Sequence, residues 1–140
     1  MRVLVDVTTW RPGRSGIGLY TERLLRAYAA AFPDDELLLA ANGPTDADPG
    51  LGRRLGPTMP LRALWMQTAM AWHCSKQRPD VAFFPNYLAP VAATVPLVPT
   101  FHDMAVYLTP ETFSVRKREL QRRLLPLVAA RAAAILTPSQ

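Results

Sequence analysis

The sequence contains a single cysteine, Cys74, and no long apolar run. One cysteine excludes an internal disulfide, and the two histidines, His73 and His102, form no Cys/His cluster that would predict a zinc site. No stretch approaches the roughly 20 apolar residues of a membrane-spanning helix. The opening segment, MRVLVDVTTW, lacks both the long apolar stretch and the small-residue cleavage site of a signal peptide. These absences predict a cytoplasmic protein.

The rest of the composition is typical of a globular chain. The 140 residues are 49% hydrophobic and 19% charged, and this length fits one domain. The net charge of +5 is concentrated in residues 114–123, SVRKRELQRR. A solvated helix face is the ordinary interpretation of such a run, and contact with phosphates or anionic lipid is the alternative. The run has no interleaved aromatic residues, so nucleic-acid binding is not expected.

Short apolar runs alternate with helical patterns along the chain. Strands are predicted at residues 2–7, 36–41, 80–84, 97–101 and 133–137. Helices are predicted at residues 18–32 and 61–77, the second with His73 on its surface, and from Ser114 onward, where Pro126 should kink or divide the helix. Residues 42–60 are expected to form a loop. This order predicts an α/β fold with a Rossmann-like parallel sheet and helices on both faces.

Ligands bind such sheets at the carboxyl ends of the strands, where three loops of this chain carry polar or glycine-rich sequence. The loop from Arg11 to Gly18 contains Gly16-Ile17-Gly18, which would let a phosphate approach the backbone, or would form an ordinary turn. His102 could act as an acid or base, with Asp103 fixing its tautomer, or both could be structural. Asn86 and Tyr87 could bind a sugar or form a turn.

Several enzyme classes are excluded by missing motifs. The third glycine of a dinucleotide-binding fingerprint is absent after Gly18, and no Gly-Lys pair of a P-loop exists in the chain. No serine lies in a G-x-S-x-G setting, and no pair of carboxylates is placed for glycoside hydrolysis. NAD-dependent enzymes, P-loop ATPases and these hydrolases are therefore not expected.

Taken in order, the loops and strands resemble the N-terminal domain of glycosyltransferase family 4, which has the GT-B fold. The resemblance covers nearly the whole chain. It rests on RVLVDVTTW with GIGLYTERLLRAY, LWMQ followed by RPDVAFFPNYLAP, then TFHDMAVYLTPETFS and AAAILTPSQ. The glycine pair before the first helix, the His-Asp after the fourth strand and the Thr-x-Ser ending are typical of the family.

The resemblance implies a retaining hexosyltransferase of bacterial polysaccharide biosynthesis. Such an enzyme moves a sugar from a nucleotide-diphosphate sugar to a glycan or lipid-linked glycan, with no metal and no cofactor besides the donor substrate. It implies that Gly16, Ile17 and Gly18 face the donor diphosphate. It implies that His102 contacts the donor sugar and takes part in catalysis, with Asp103 as its support. Asn86 and Tyr87 would border the acceptor.

One departure from the family concerns domain content. Residues 1–140 are expected to correspond to an incomplete N-terminal domain, without the donor-binding C-terminal domain in which the family carries a cationic pair and an E-x7-E motif. Residues 1–140 alone are therefore expected to be inactive. The alternative function is a non-catalytic module that docks on an anionic surface or on the inner face of a membrane. Its contact residues would be Arg116, Lys117, Arg118, Arg122 and Arg123.

Overall fold

The computed structural model describes residues 1–13, 16–56 and 59–138. These residues contain one five-stranded sheet in the order β3-β2-β1-β4-β5, and every neighbouring pair is parallel. The strands are β1 (Arg2–Asp6), β2 (Glu36–Ala40), β3 (Arg53–Leu55), β4 (Val81–Phe84) and β5 (Leu97–Pro99). The predicted Rossmann-like parallel sheet is confirmed. All carboxyl ends of the strands lie along one edge of the sheet, with β1 at its centre.

Helices cover both faces of the sheet, as predicted. Helix α1 (Gly16–Ala31) packs on one face, and the other face is covered by α2 (Arg62–Trp65), α3 (Ala71–Gln77) and α5 (Val115–Arg131). A π-helical turn (Met66–Met70) joins α2 to α3. Helix α4 (Ala105–Leu108) and two 3-10 turns, Pro49–Leu51 and Pro110–Thr112, complete the helical segments of the described residues. No helix in these ranges is both long enough and apolar enough to cross a bilayer.

Strands β1, β2 and β4 are buried on both faces, which explains their runs of apolar residues. In β1, Val3 and Val5 pack toward α1, whereas Leu4 packs into the opposite cluster with Trp65 and Met66. Each fully buried side chain of this size contributes roughly 1.5–3 kcal/mol relative to exposure. The sheet is thus held by two apolar layers, one on each face.

Strand β3 lies inside the segment that the sequence predicts to be a loop, so that prediction is wrong. Its residues are two arginines and a leucine, and both Arg53 and Arg54 are exposed. A short, charged strand is typical of a sheet edge and carries no apolar periodicity. Gly52 precedes it at a point where an added Cβ would clash with the Leu37 carbonyl of β2. Glycine therefore allows the edge strand to approach its neighbour.

The predicted fifth strand at residues 133–137 is not a regular strand. Two isolated parallel bridges, Leu97 with Ala132 and Thr100 with Leu136, hold this segment beside β5. The Leu136 N–H donates to the Pro99 carbonyl at 3.0 Å, and Phe101 donates to the Leu136 carbonyl at 2.9 Å. Pro99 has no N–H of its own to donate, which removes one bond from this ladder. Ser139 of the Thr-x-Ser ending lies outside the described residues.

Helix α5 continues through Pro126, so the expected division of this helix does not occur. A proline at this position cannot donate to the carbonyl of Arg122, four residues earlier. The Tyr107 hydroxyl of α4 donates to that carbonyl instead, at 3.4 Å. The Arg122 guanidinium lies over the same tyrosine ring, 5.7 Å from its centroid. Contact with α4 thus compensates part of the backbone bond that proline removes.

Replacing Pro126 with alanine is expected to stabilise the protein. The Pro126→Ala variant restores an N–H donor within the helix, and the free energy of unfolding should rise by about 1–3 kcal/mol. Urea denaturation measures this change. Pro110→Ala is the matched control, because Pro110 opens a 3-10 turn, where proline is tolerated. An unchanged stability in Pro126→Ala would contradict this explanation of the helix.

His73 is buried, with 2% of its surface exposed, so its expected place on the helix surface is wrong. The spacing of Met66, Met70, His73 and Cys74 places all four on one helix face, which packs into the core. Trp72 occupies the outer face and is 55% exposed. Burial lowers the pKa of His73, and the backbone of Gly56 counteracts this in part. Burial also raises the pKa of the Cys74 thiol to about 12.

The lowered pKa of His73 predicts a loss of stability in mild acid. The unfolded chain protonates this imidazole as the pH falls below about 6.5, whereas the folded protein binds the same proton less tightly because burial lowers the pKa of His73, so protons favour the unfolded state. The free energy of unfolding, measured in urea between pH 7.5 and pH 5.5, should therefore fall toward the acid end. His73→Gln should flatten this profile. Equal slopes in the wild type and in His73→Gln would contradict the assignment.

Candidate functional site

A cleft of about 450 Å³ opens at the carboxyl edge of the sheet. Loops that follow β1, β2 and β4 form its walls, together with the start of α1 and the start of α2. Its polar lining consists of Thr8, Thr9, Arg11, Asn42, Arg62 and Asn86. Hydroxyl, amide and guanidinium groups therefore converge at the edge where open parallel sheets bind their ligands.

A buried carboxylate contacts two residues that line the cleft, Thr8 and Arg62. Asp6 is the last residue of the central strand and is 2% exposed. Its Oδ1 accepts a hydrogen bond from the Thr8 N–H at 2.9 Å, and its Oδ2 lies 3.5 Å from Nη2 of Arg62. A buried carboxylate without a countercharge would be strongly destabilising. The pairing therefore holds the Arg62 side chain across the end of β1, where it lines the cleft.

Hydrogen bonds from side chains to the backbone join the walls of the cleft. The Thr8 hydroxyl accepts from the Asn42 N–H at 3.0 Å and links the loops after β1 and β2. Asn42 in turn accepts from the Met59 N–H at 2.7 Å. The Thr9 and Thr21 hydroxyl oxygens are 3.2 Å apart, so the first loop is also tied to α1. These bonds fix the positions of the loops before any ligand binds.

Asn86 lines the cleft from the loop after β4, and its role in binding an acceptor remains a prediction. It is 7% exposed, and its Oδ1 accepts from the Tyr87 N–H at 2.8 Å. Gln67, from the π-helical turn, holds the same loop further along. The Gln67 side-chain Nε2 donates to the Ala89 carbonyl at 2.9 Å, and its Oε1 accepts from the Val91 N–H at 3.1 Å. A π-helical turn is a common feature near functional sites, and here it places the side chain that clamps this loop.

His102 lies beside the cleft and joins two of the strand-end loops. Its Nε2 is 2.7 Å from the Pro85 carbonyl oxygen. Because a carbonyl only accepts, Nε2 carries a proton, and Nδ1 of the neutral ring is the remaining acceptor. The Tyr20 ring of α1 packs edge-on against this imidazole, with centroids 5.0 Å apart, and its hydroxyl is 3.3 Å from that of Thr100. The ring of His102 is thus held from two sides.

Asp103 is placed at the start of a helix. Its Oδ1 accepts from the Ala105 N–H at 2.9 Å, where α4 begins. No hydrogen bond between Asp103 and His102 occurs in the described ranges. The supporting role that the family resemblance implies for Asp103 remains a prediction.

Tyr87 lies between the cleft and α5, and the Gln121 side-chain amide donates to its hydroxyl oxygen. Burial raises the pKa of the Tyr87 phenol and Asp103 raises it further, whereas Arg62 and Gln121 lower it. The phenol therefore stays protonated at neutral pH. The same charges show that Tyr87 lies within electrostatic reach of both Arg62 and Asp103, so these three residues and Asn86 occupy one region.

The glycine pair belongs to the first turn of α1 rather than to the preceding loop. Helix α1 begins at Gly16, and only Ile17 of Gly16-Ile17-Gly18 lines the cleft. Gly16 is exposed on the outer side of the helix and Gly18 is buried. The Ile17 carbonyl accepts from the Thr21 hydroxyl at 2.7 Å. The first turn of a helix has unpaired backbone N–H groups, a favourable site for phosphate, so the diphosphate role remains a prediction.

The five basic residues of α5 do not form one uniform patch. Arg116 and Arg123 are exposed, whereas Lys117 lies over the Phe113 ring at 4.9 Å. Arg118 is 3.6 Å from Glu119, and Arg122 covers the ring of Tyr107. Part of the local charge is therefore engaged within the protein. Membrane contact through these residues remains a prediction.

No family model and no curated protein sequence matches the chain significantly. One solved structure with a similar backbone is an alpha-glucosyltransferase in complex with UDP and a 13-mer DNA containing a HMU base. It shares 12% sequence identity with this chain, and the alignment has a TM-score of 0.47. The match covers 98% of this chain and 37% of that protein, so the present chain spans well under half of its length.

The sequence does not identify the ion pair of Asp6 and Arg62. Asp6 gives a weak signal, because a carboxylate interrupts the apolar run VLVDV. Arg62 gives none, because it is one of many arginines and lies far from Asp6 along the chain. Only the sheet order and the position of α2 bring the two residues together.

Breaking this pair is expected to destabilise the protein. Arg62→Met leaves the Asp6 carboxylate buried without its countercharge, and the free energy of unfolding should fall by about 1–3 kcal/mol. The double variant Asp6→Asn/Arg62→Met should recover most of that loss, since no unpaired charge remains. Arg123→Met, on the exposed face of α5, is the control. Urea denaturation measures the free energy of unfolding of each variant. If the change in the double variant equals the sum of the changes in Asp6→Asn and Arg62→Met, the two side chains do not interact.

Proposed function

We propose that this chain is the N-terminal, acceptor-side domain of a sugar transferase. The observation that carries the proposal is the polar cleft at the carboxyl edge of the sheet. Ile17 and Asn86, from two of the three motifs that resemble family 4 glycosyltransferases, line this cleft, and His102, from the third, lies beside it. Amide and hydroxyl groups suit a polyhydroxylated ligand, because each can donate and accept hydrogen bonds.

The reaction would transfer a hexose from a nucleotide-diphosphate sugar to a glycan or lipid-linked glycan, with retention of configuration. Negative charge develops on the leaving diphosphate, so N–H groups and cations directed at it stabilise the transition state. In this proposal the first turn of α1 supplies N–H groups on one side. His102 contacts the donor sugar, with Nδ1 as its available acceptor. The reaction uses no metal and no cofactor beyond the donor.

The proposal requires a second domain across the cleft for most of the nucleotide contacts. Residues 1–140 would then form one wall of the active site and would be inactive alone. Such a transferase would act in bacterial polysaccharide biosynthesis on a glycan or lipid-linked glycan.

Transfer assays with a panel of nucleotide sugars test this function. We expect turnover from the full reading frame that encodes this chain, and none from residues 1–140 alone. In the active protein, His102→Asn should lower kcat at least tenfold, because the imidazole contacts the reacting sugar, while Arg123→Gln should leave the rate unchanged. Turnover by residues 1–140 alone would contradict the need for a second domain. An unimpaired His102→Asn enzyme would remove His102 from the site.

A further inference from the structure

Arg62 lines the cleft, and 34% of its side chain is exposed. Its Nε and Nη2 atoms are enclosed by protein and have no hydrogen-bond partner among the described residues, so the remaining nitrogen, Nη1, is the donor that a ligand in the cleft can reach. The contact between Nη2 and Asp6, at 3.5 Å, is an ion pair with poor hydrogen-bond geometry. A guanidinium presents five N–H donors in a rigid plane that matches carboxylate and phosphate oxygens. Arg62 is therefore held in place but incompletely satisfied.

The surroundings of Arg62 contain a second cation, two carboxylates and a hydroxyl donor. Arg11 lines the same cleft, so two cations accompany one buried carboxylate, Asp6. Of the other ionisable groups nearby, Tyr87 keeps its phenolic proton, and Asp103 contributes a second negative charge on the Tyr87 side. The Thr8 hydroxyl already accepts one hydrogen bond from the Asn42 N–H, and its own proton can be donated to a ligand. The Arg62 end of the cleft is thus rich in donors.

We propose that the Arg62 end of the cleft binds an anionic oxygen group, a carboxylate or a phosphoryl group, with Arg62 as its main contact. Asp6 serves as an internal countercharge that competes with the ligand for the guanidinium. Where the proposed transferase function holds, on which this extension rests, the ligand is an acidic acceptor sugar or the phosphoryl group of the donor. Both share the chemistry that Arg62 recognises.

The effect of neutralising Asp6 on anion affinity distinguishes this proposal from a purely structural ion pair. If the pair only supports the fold, neutralising Asp6 would leave anion affinity unchanged. If Asp6 competes with the ligand, Asp6→Asn should increase that affinity, because Arg62 loses its internal partner. Asparagine keeps an Oδ1 acceptor for the Thr8 N–H, so the local loop should persist. The two single variants, at Asp6 and at Arg62, should therefore change affinity in opposite directions.

NMR titration of the ¹⁵N-labelled protein tests the proposal at constant ionic strength and pH 7. The probes are inorganic phosphate, glucuronate and glucose, and the readout is the amide shifts of Thr8 and Thr9. We expect a saturable shift with at least one anion and a much weaker response to glucose. Arg62→Gln should weaken binding at least fivefold and Asp6→Asn should tighten it at least twofold. Lys76→Gln removes one positive charge from the exposed last turn of α3 and should have no effect.

Each outcome of the titration is informative. Binding of glucuronate alone assigns the site to an acidic acceptor, binding of phosphate alone assigns it to a phosphoryl group, and binding of both supports the shared chemistry. Equal binding of glucose, an unaffected Arg62→Gln variant or an unchanged affinity in Asp6→Asn would overturn the proposal. If Arg62→Gln fails to fold, the Asp6→Asn result decides. If the protein binds anions through Arg62 but transfers no sugar, the transferase function is rejected and the anion site stands. If it transfers sugar but shows no Arg62-dependent anion binding, the anion site is rejected and the transferase function stands.

Discussion

The burial of one carboxylate at the end of the central strand constrains the whole carboxyl edge of the sheet. Asp6 is 2% exposed, and its two oxygens require a hydrogen bond and a positive charge. Thr8 supplies the hydrogen bond from the loop that follows, and Arg62 supplies the charge from the start of α2. The loop after β1 and the start of α2, which form two walls of the cleft, are therefore both held by the Asp6 carboxylate. An apolar residue at this position would leave the loop and the arginine without a common anchor.

The parallel sheet brings the ends of β1, β2 and β4 to one edge, so the loops that follow these strands lie close to Asp6. Hydrogen bonds then fix the positions of the loops. The Asn42 N–H donates to the Thr8 hydroxyl, and the Gln67 amide donates to a carbonyl of the loop after β4. His102 connects the loop after β5 to Pro85. The polar groups of the cleft are thus preorganised, which lowers the ordering cost of binding a polar ligand.

Most of the fold follows from short-range sequence patterns. The apolar runs of β1, β2 and β4 and the helical spacing of α1 are visible in the sequence, because burial on both faces of a parallel sheet demands them. Strand β3 is not visible, because an exposed edge strand of two arginines and a leucine has no such constraint. The predicted break at Pro126 is wrong because the sequence shows only the local loss of a hydrogen bond, whereas the Tyr107 hydroxyl that compensates this loss comes from another helix. His73 shows that an apolar helix stripe can carry one polar side chain.

The candidate site is less predictable than the fold. The sequence places Asn86, His102 and Ile17 in loops or helix ends near the correct edge, since strand ends are predictable from strands. It does not reveal the pair of Asp6 and Arg62, because that contact depends on how α2 crosses the sheet. It also cannot distinguish which glycine of Gly16-Ile17-Gly18 is buried, since the register of the first helical turn decides this. Long-range packing, rather than local pattern, therefore determines the chemistry of the cleft.

The most direct test of the central claim is the location of a bound sugar in the protein. Intermolecular nuclear Overhauser effects from ¹³C-labelled glucuronate, measured with the protein in excess, report which side chains lie beside the ligand. We expect contacts with the methyl groups of Thr8 and Thr9 and with the side-chain amide of Asn86. Contacts confined to the exposed leucines of α5, with none at the carboxyl edge of the sheet, would contradict the assignment of this cleft as the ligand site.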